Sequence, residues 1–367
     1  MDKCKIETLS PISAVAKVAA LLREDIRSGR YAVGDPIETE RVLAGKLRVS
    51  RETVRQSLSI LRSERLVIRQ QGRGTFVTNP TYAANGDRET LLIGALVYEK
   101  DYYFGTILQG AFSHATRRGY ILATGINSTE DSEKEHVEAF IKSGVRGVIL
   151  APTMGKHSSH AYDRLVKEKI PVVLIDNKLH DRYEDFVSVD NYQGTVLAAK
   201  HLIDLGHTAI GYIGYDIPDD LPCQPERLLG FTSMCRQSGI KVSDKWIIEV
   251  NSDNCLEKMR TILQQENHPT AFVFYNDYLA TRMLDAAHEL NLKVPDDISI
   301  VGFDDSPIAK TCSVPITTIC PRPRELGKIM VDTLVNKIEN TQQQIKQSIL
   351  IEPRLVIRKS TAPPKKV

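Results

Sequence analysis

Short β-prone runs beyond residue 90 of the 367-residue chain end on groups that could do chemistry. Asp176 follows Val172-Val-Leu-Ile175, Asn276-Asp277 follow the run 271–274, and Asp304-Asp305 follow the run 298–301 with Gly302-Phe303 between. Arg227 opens a helical segment after a loop, and Tyr102-Tyr103-Phe104 come just after the run 91–98. Carboxylates and amides pair with adjacent hydroxyls, an arginine fork donates in a plane, and aromatic rings cover apolar C–H faces. Together they suit a small polyol of the sugar kind bound in a cleft. Each also has a plainer use, because carboxylates after strands cap helices or make turns and aromatics fill cores. Asp304 and Asp305 could be read as a catalytic carboxylate pair, but neighbours leaving a strand rarely point to one centre.

A second set of groups is cationic and lies near the N-terminus. Residues 1–80 hold 15 Lys+Arg against 9 Asp+Glu, while the remainder holds 33 against 37, so a net charge of +2 conceals a basic head on an acidic body. Seven of those cations fall between Arg48 and Arg73, against Glu52 and Glu64 alone. Clustered cations of this density meet phosphates.

The elements that would carry the cations are three helices and a hairpin. Ser10-Pro11 starts a helix whose Val15, Val18, Ala19, Leu22 and Ile26 share a face until Gly29 stops it. A second begins at Thr39, its expected cap, and runs through Leu47; a third begins at Ser50, also a cap. Val54, Leu58 and Leu61 line one side of this third helix, leaving Arg51, Glu52, Arg55, Gln56, Ser59 and Arg62 outward. Leu66-Val-Ile68 and Thr75-Phe-Val77 flank Gln71-Gly-Arg-Gly74, a hairpin with a basic glycine-rich tip. Helices of this order lay the third one in a major groove, with the hairpin as a wing in a neighbouring groove.

The strings Gly34-Asp-Pro-Ile-Glu-Thr-Glu-Arg41-Val-Leu-Ala44, Ser50-Arg-Glu-Thr-Val-Arg55 and Gly72-Arg-Gly-Thr-Phe-Val77 resemble the GntR-type winged helix over nearly the whole head. That resemblance implies DNA contacts by Arg41, Ser50, Arg51, Thr53, Arg55, Gln71, Gly72 and Arg73. Residues 10–78 are thus expected to form a winged helix-turn-helix, and 79–90, with Pro80 and Gly86 and no apolar period, a linker.

From residue 91 strands and helices alternate: 91–98, helix 104–118, 120–124, helix 132–143, 145–151, 171–175, 186–189, helix 191–205, 209–213, helix 226–238, 271–274, helix 278–290 and 298–301. The alternation predicts an α/β fold with parallel sheets, whose ligands sit beyond the strands' C-terminal ends. Ile298-Ser-Ile-Val-Gly-Phe-Asp-Asp305, Thr317-Thr-Ile319, Leu326-Gly327, Val189-Asp-Asn-Tyr-Gln-Gly194 and His201-Leu-Ile-Asp-Leu-Gly-His207 resemble the LacI/GalR sensor. This implies a two-lobed periplasmic-binding-protein-like domain over 91–358 that binds effector and dimerises. On that pattern Arg227, Asn276 and Asp304 match ligand-contacting positions, Tyr103 and Phe104 stacking positions, and Asp176 a further one. Two features depart from it: the short hinge helix between head and sensor is missing, and Pro321 stands where a polar ligand contact often follows the Thr-Thr-Ile run.

A GntR-type head on a LacI-type sensor resembles the arabinose-responsive repressors of Gram-positive bacteria, with Asp101-Tyr-Tyr-Phe104, Tyr275-Asn-Asp277 and Gly302-Phe-Asp-Asp-Ser306 as similar strings. The expected partners are double-stranded operator DNA, a monosaccharide such as L-arabinose and a second copy of the chain; L-fucose and an activator mode stay open. A sugar-handling enzyme is disfavoured, since no phosphate loop, H-E-x-x-H pair, G-x-S-x-G elbow or dinucleotide glycine fingerprint occurs, and no cofactor or metal is expected. A transport binding protein is disfavoured by the basic head and by the acidic N-terminus without an apolar run. Six scattered cysteines without a C-x-x-C pair and no run of about 20 apolar residues place the protein in the cytoplasm without membrane contact.

Overall fold

The computed structural model of the chain describes residues 11–32, 34–64, 66–70, 74–77, 91–98, 102–152, 159–176, 179, 184–216, 223–251, 253–340 and 345–365. It divides between Glu89 and Thr90 into two compact units.

In the first unit α1 (Pro11–Arg27) is followed by β1 (Pro36–Ile37), α2 (Glu40–Leu47), α3 (Arg51–Ser63), β2 (Val67–Gln70) and β3 (Gly74–Val77). Val18, Leu22 and Ile26 of α1, Leu43 of α2, and Val54, Leu58 and Leu61 of α3 meet in one core with Leu66 and Val77. Ser50 caps α3 as expected, accepting the Thr53 N–H at 3.0 Å. Thr39 precedes α2 but its side chain makes no cap bond; Glu40 in the first turn supplies negative charge there instead. The strand Pro36–Ile37, too short for a periodic signal, pairs with β3 and completes an antiparallel order β1-β3-β2.

The second unit contains β4 (Leu92–Tyr98), α4 (Tyr102–Arg117), β5 (Ile121–Asn127), α5 (Glu130–Lys142), β6 (Val148–Leu150), α6 (Ser159–Lys167), β7 (Val172–Ile175) and β8 (Phe186–Val189). Next come α7 (Asn191–Asp204), β9 (Ile210–Tyr215), α8 (Cys223–Gln237), β10 (Ile247–Val250), α9 (Cys255–Leu263), β11 (Ala271–Phe274) and α10 (Asp277–Glu289). The chain ends with β12 (Ser299–Phe303), α11 (Pro307–Thr311), β13 (Thr317–Cys320), α12 (Pro323–Glu339), β14 (Ser348–Ile351) and β15 (Arg354–Val356).

Two six-stranded sheets result. One runs β14-β8-β7-β6-β4-β5, all parallel; the other runs β10-β9-β11-β12-β13-β15, parallel except for β15. Their strands are nearly continuous apolar runs because helices cover both faces. Ile93, Val97, Ile107 and Val331 pack on one face of the first sheet and Leu96, Phe140, Leu150 and Leu174 on the other. The second sheet is covered likewise, by Phe272, Leu279 and Met283 on one side and Tyr212, Phe231 and Phe303 on the other. Helices α4 and α12 cross at two glycines: a Cβ on Gly110 would lie 2.1 Å from the Arg324 carbonyl oxygen, and one on Gly327 2.1 Å from that of Ile107.

The strand order sends the chain between the sheets three times, after β8, between β13 and β14, and between β14 and β15. The first and last crossings are tied by the Asp190 N–H donating to the Ile351 carbonyl at 2.9 Å. Past residue 358 the chain still belongs to this unit. Buried Ser360 accepts the Thr317 N–H at 2.8 Å, and the Ala362 carbonyl is in hydrogen-bond contact with buried His207.

Candidate DNA-reading face and effector cleft

On α3 the outward residues are the ones read from the sequence, with Arg51 and Arg55 exposed and Thr53 half-buried. Ser50 Oγ, besides capping the helix, lies 2.8 Å from Thr53 Oγ1, so both hydroxyls sit at the helix N-terminus where N–H groups favour an anion. Arg55 Nη1 donates to Glu52 Oε2 at 2.9 Å and Nη2 to Glu40 Oε2 at 3.3 Å, which holds its guanidinium over the α2–α3 corner. Arg41 is exposed on α2. Gln71, Gly72 and Arg73 lie outside the described residues, as does the whole linker 79–90.

In the second unit Arg227 is the centre of a buried constellation, with 6% of its surface exposed. It is the fifth residue of α8, which presents it to the ends of β11 and β12. Its Nε donates to Asn191 Oδ1 at 2.9 Å and its Nη1 to the Tyr275 carbonyl at 2.5 Å, and Nη2 lies 3.8 Å from Asp304 Oδ1. The guanidinium carbon sits 3.7 Å from the centre of the Phe303 ring and 4.5 Å from that of Tyr275, a cation held between two π faces. Asn276 caps α10 through the Leu279 N–H at 3.0 Å. Arg227 and Asp304 thus face each other, and Asn276 is the next residue after Tyr275, whose carbonyl Arg227 holds.

Asp176 ends β7 of the other sheet with φ +66, half-buried. It acts on the second sheet's residues: burial first, then the Asp176 charge, pushes the Cys223 thiol up to about 11. That thiol touches the Tyr275 hydroxyl at 3.2 Å and is neutral at physiological pH, so it offers no thiolate nucleophile.

Tyr103 and Phe104 belong to the core of the first sheet. Phe104, 3% exposed, stands edge-on to Tyr98 and Tyr103 at centroid distances of 5.4 and 5.3 Å. The helix begins at Tyr102 rather than at 104, which turns Tyr102 outward and its two successors inward. Asp304 and Asp305 diverge, because Asp305 pairs with Arg358 and lies 3.6 Å from Lys310 whereas Asp304 faces Arg227. Sequence reasoning missed Asn191, Phe303 and Tyr275 as partners of Arg227. All three sat inside strings already noted, but Tyr275 acts partly through a backbone carbonyl that residue type does not reveal.

Among the described residues no helix is long and apolar enough to cross a membrane. Residues 14–77 match the family of bacterial regulatory proteins of the gntR type, and residues 199–361 the periplasmic binding protein-like domain. The chain is 35% identical to an arabinose metabolism transcriptional repressor of Geobacillus stearothermophilus, over 92% of this chain and 94% of that protein. It is 33% identical to the protein of the same name from Halalkalibacterium halodurans, over 93% and 94%. A LacI family transcriptional regulator from Enterococcus faecium, solved with bound ribose, superposes with a TM-score of 0.64 at 23% identity, covering 75% of this chain and all of that one, a likeness of fold. With a DNA-binding head, a parallel two-sheet sensor and relatives that regulate transcription rather than catalyse, the chain belongs to the family of arabinose metabolism transcriptional repressors.

Proposed function

We propose that this protein represses carbohydrate-utilisation genes in the cytoplasm, as a homodimer on a near-palindromic operator, and leaves the operator when a neutral monosaccharide binds the cleft of its sensor. L-arabinose is the first choice of sugar. The single observation that carries the reading is the Arg227 constellation: a fully oriented guanidinium with donors left over, flanked by Asp304, Asn276 and aromatic rings, at the strand ends where ligands of parallel sheets sit. Two acids, Asp304 and Asp176, accompany one arginine there, a balance that suits an uncharged polyol better than a sugar phosphate. The names of the two similar repressors support arabinose as the class.

In this reading Arg227 donates to adjacent hydroxyls, Asp304 and Asn276 accept from others, Asp176 reaches across from the first sheet, and Phe104 with Tyr103 shapes the apolar side. Arg41, Ser50, Arg51, Thr53 and Arg55 meet the operator, and Gln71, Gly72 and Arg73 meet it through the wing. A domain of 10–78, a linker of 79–90 and a sensor from 91 onward follow. Dimer contacts fall to the sensor, where Phe112 of α4 and Leu229 of α8, 44% and 54% exposed, offer apolar surface.

The test titrates operator DNA with wild type and Asp304→Ala, each with and without L-arabinose. Sugar lowers wild-type operator affinity, and Asp304→Ala binds operator normally but ignores the sugar. A variant that still responds refutes the assigned cleft; tighter DNA binding with sugar makes the protein an activator or co-repressed regulator.

A further inference from the structure

Asp304 and Asp305 are consecutive non-glycine residues at φ 104 and φ 48, backbone that a side-chain-bearing residue adopts only when its surroundings hold it. The Asp304 N–H donates to the Ile319 carbonyl at 2.8 Å, and the Asp305 N–H to Thr318 Oγ1 at 3.4 Å. The Thr318 hydroxyl in turn donates to Asp277 Oδ1 at 2.5 Å. Asp277 Oδ2 accepts both the N–H and the hydroxyl of Ser306, each at 2.8 Å. One carboxylate, 1% exposed, thus accepts the hydroxyl protons of both Thr318 and Ser306, the residues that flank the strained corner. Its seat is cut into the sheet: a Cβ on Gly302 would lie 2.2 Å from Asp277 Oδ1.

We propose that Asp277 is a positioning residue of the effector cleft, a buried carboxylate that locks the Asp304–Ser306 corner and so sets sugar affinity without touching the sugar. Asp277 also adjoins Asn276 at the start of α10, so it joins two of the strand ends that the sugar reading uses. The Thr318 hydroxyl has one proton; while Asp277 takes it, a lone pair stays free for the Asp305 N–H. An amide in place of the carboxylate presents an NH₂ group to one of three donors and breaks the relay. The charged and titratable groups around the network are Asp305 with its partners Arg358 and Lys310, and the neutral Cys312 thiol just past α11. Burial raises the Asp277 carboxyl to about 6, the hydrogen bonds from Thr318 and Ser306 partly opposing the rise, so mild acid protonates it and loosens the same corner.

The sugar arm of the test rests on the proposed cleft; the exchange arm does not. Amide hydrogen exchange of the full chain is followed over 303–307 in wild type, Asp277→Asn and the near-isosteric Thr318→Val, at pH 5.5 and 7.5, with calorimetric titration of L-arabinose in parallel. At pH 7.5 Asp277→Asn loses roughly tenfold in protection of that segment and in sugar affinity, the size of one charge-assisted hydrogen bond, and Thr318→Val about threefold. Operator binding without sugar is unchanged, and helices remote from the corner keep their protection. Wild type loses sugar affinity from pH 7.5 to 5.5 and Asp277→Asn does not. Wild-type protection at 303–307 in both variants overturns the proposal and leaves Asp277 an ordinary helix-start acid. Loosened exchange with unchanged sugar affinity also overturns it, as a corner that does not serve the cleft. A wild type that binds no L-arabinose counts against the sugar reading alone, and the exchange result then decides the locking role.

Discussion

Replacing Arg227 by lysine keeps the charge and removes the fork, which isolates geometry as the variable. Of the five guanidinium N–H groups, Nε–H goes to Asn191 and one on Nη1 to the Tyr275 carbonyl, leaving three for the cleft beside Asp304. Phe303 and Tyr275 keep the plane from rotating. A lysine ammonium has three donors on one atom and no plane, so it can replace one contact to the sugar and not two in fixed directions. A hydrogen bond to a charged group is worth about 1.5–3 kcal/mol, so sugar affinity falls about 10- to 150-fold at roughly 1.4 kcal/mol per tenfold. Asn191 Oδ1 and the Tyr275 carbonyl lose their donor as well. Leaving them unsatisfied costs about 1–3 kcal/mol of sensor stability, a fall in thermal midpoint of roughly 2–5 °C for a domain of this size. Calorimetry with L-arabinose at pH 7.5 and a sugar-free thermal scan measure the two effects separately. A folded Arg227→Lys protein that binds sugar within threefold of wild type refutes the role given to the fork.

Arg55→Ala weakens specific operator binding by about 1–3 kcal/mol and random DNA much less, whereas Arg73→Ala weakens both alike and reduces the salt slope by about one; unchanged operator affinity in both sinks the assigned reading face. Sedimentation of the operator-bound protein at micromolar concentration shows two chains per operator, and a monomer alone removes the two-fold arrangement. Stability of the sensor carries an Asp277 signature. Its folded carboxyl titrates near 6 against an ordinary 3.8, so the stability it contributes is fully present below about 4 and is lost as pH rises through 6. The wild-type unfolding free energy, measured against Asp277→Asn from pH 4.5 to 7.5, therefore declines by about 2 kcal/mol; a flat difference removes the titration.

Local signals carried far. Strands 186–189 and 271–274 match the structure residue for residue because each is an unbroken β-prone run between turn residues, and α3 was legible from its apolar face and its Ser50 cap. What stayed hidden is paired over long range. β14 joins β8 across some 160 residues, in register Ser348 to Phe186, and the two-residue β1 is a strand only because β3 lies beside it. At the cleft, carboxylate and arginine types after strands pointed to Asp304 and Arg227. Residue type could not tell that Tyr103 and Phe104 face the core, since an aromatic after a strand serves either use and the helix start, at Tyr102, decides.

In the proposed reading, the division of labour between Asp304 and Asp305 gives the sensor its means of responding. Asp305 is tied to Arg358 just past β15, and its N–H joins the Thr318–Asp277 network, so it belongs to the frame of the second sheet. Asp304, one residue earlier, looks toward Arg227, while Asp176 comes from the first sheet, and three chain crossings lie between the two. A sugar that contacts only the second sheet would bind every arrangement of the sheets equally and shift none of them, however tightly it bound. Under the proposed cleft, engagement of Asp176 together with Arg227 and Asp304 makes affinity depend on how the sheets stand, and only that difference can be transmitted to DNA binding. Because the coupling is reciprocal, operator DNA disfavours sugar by the factor with which sugar disfavours operator, typically 5- to 150-fold for coupling of this kind.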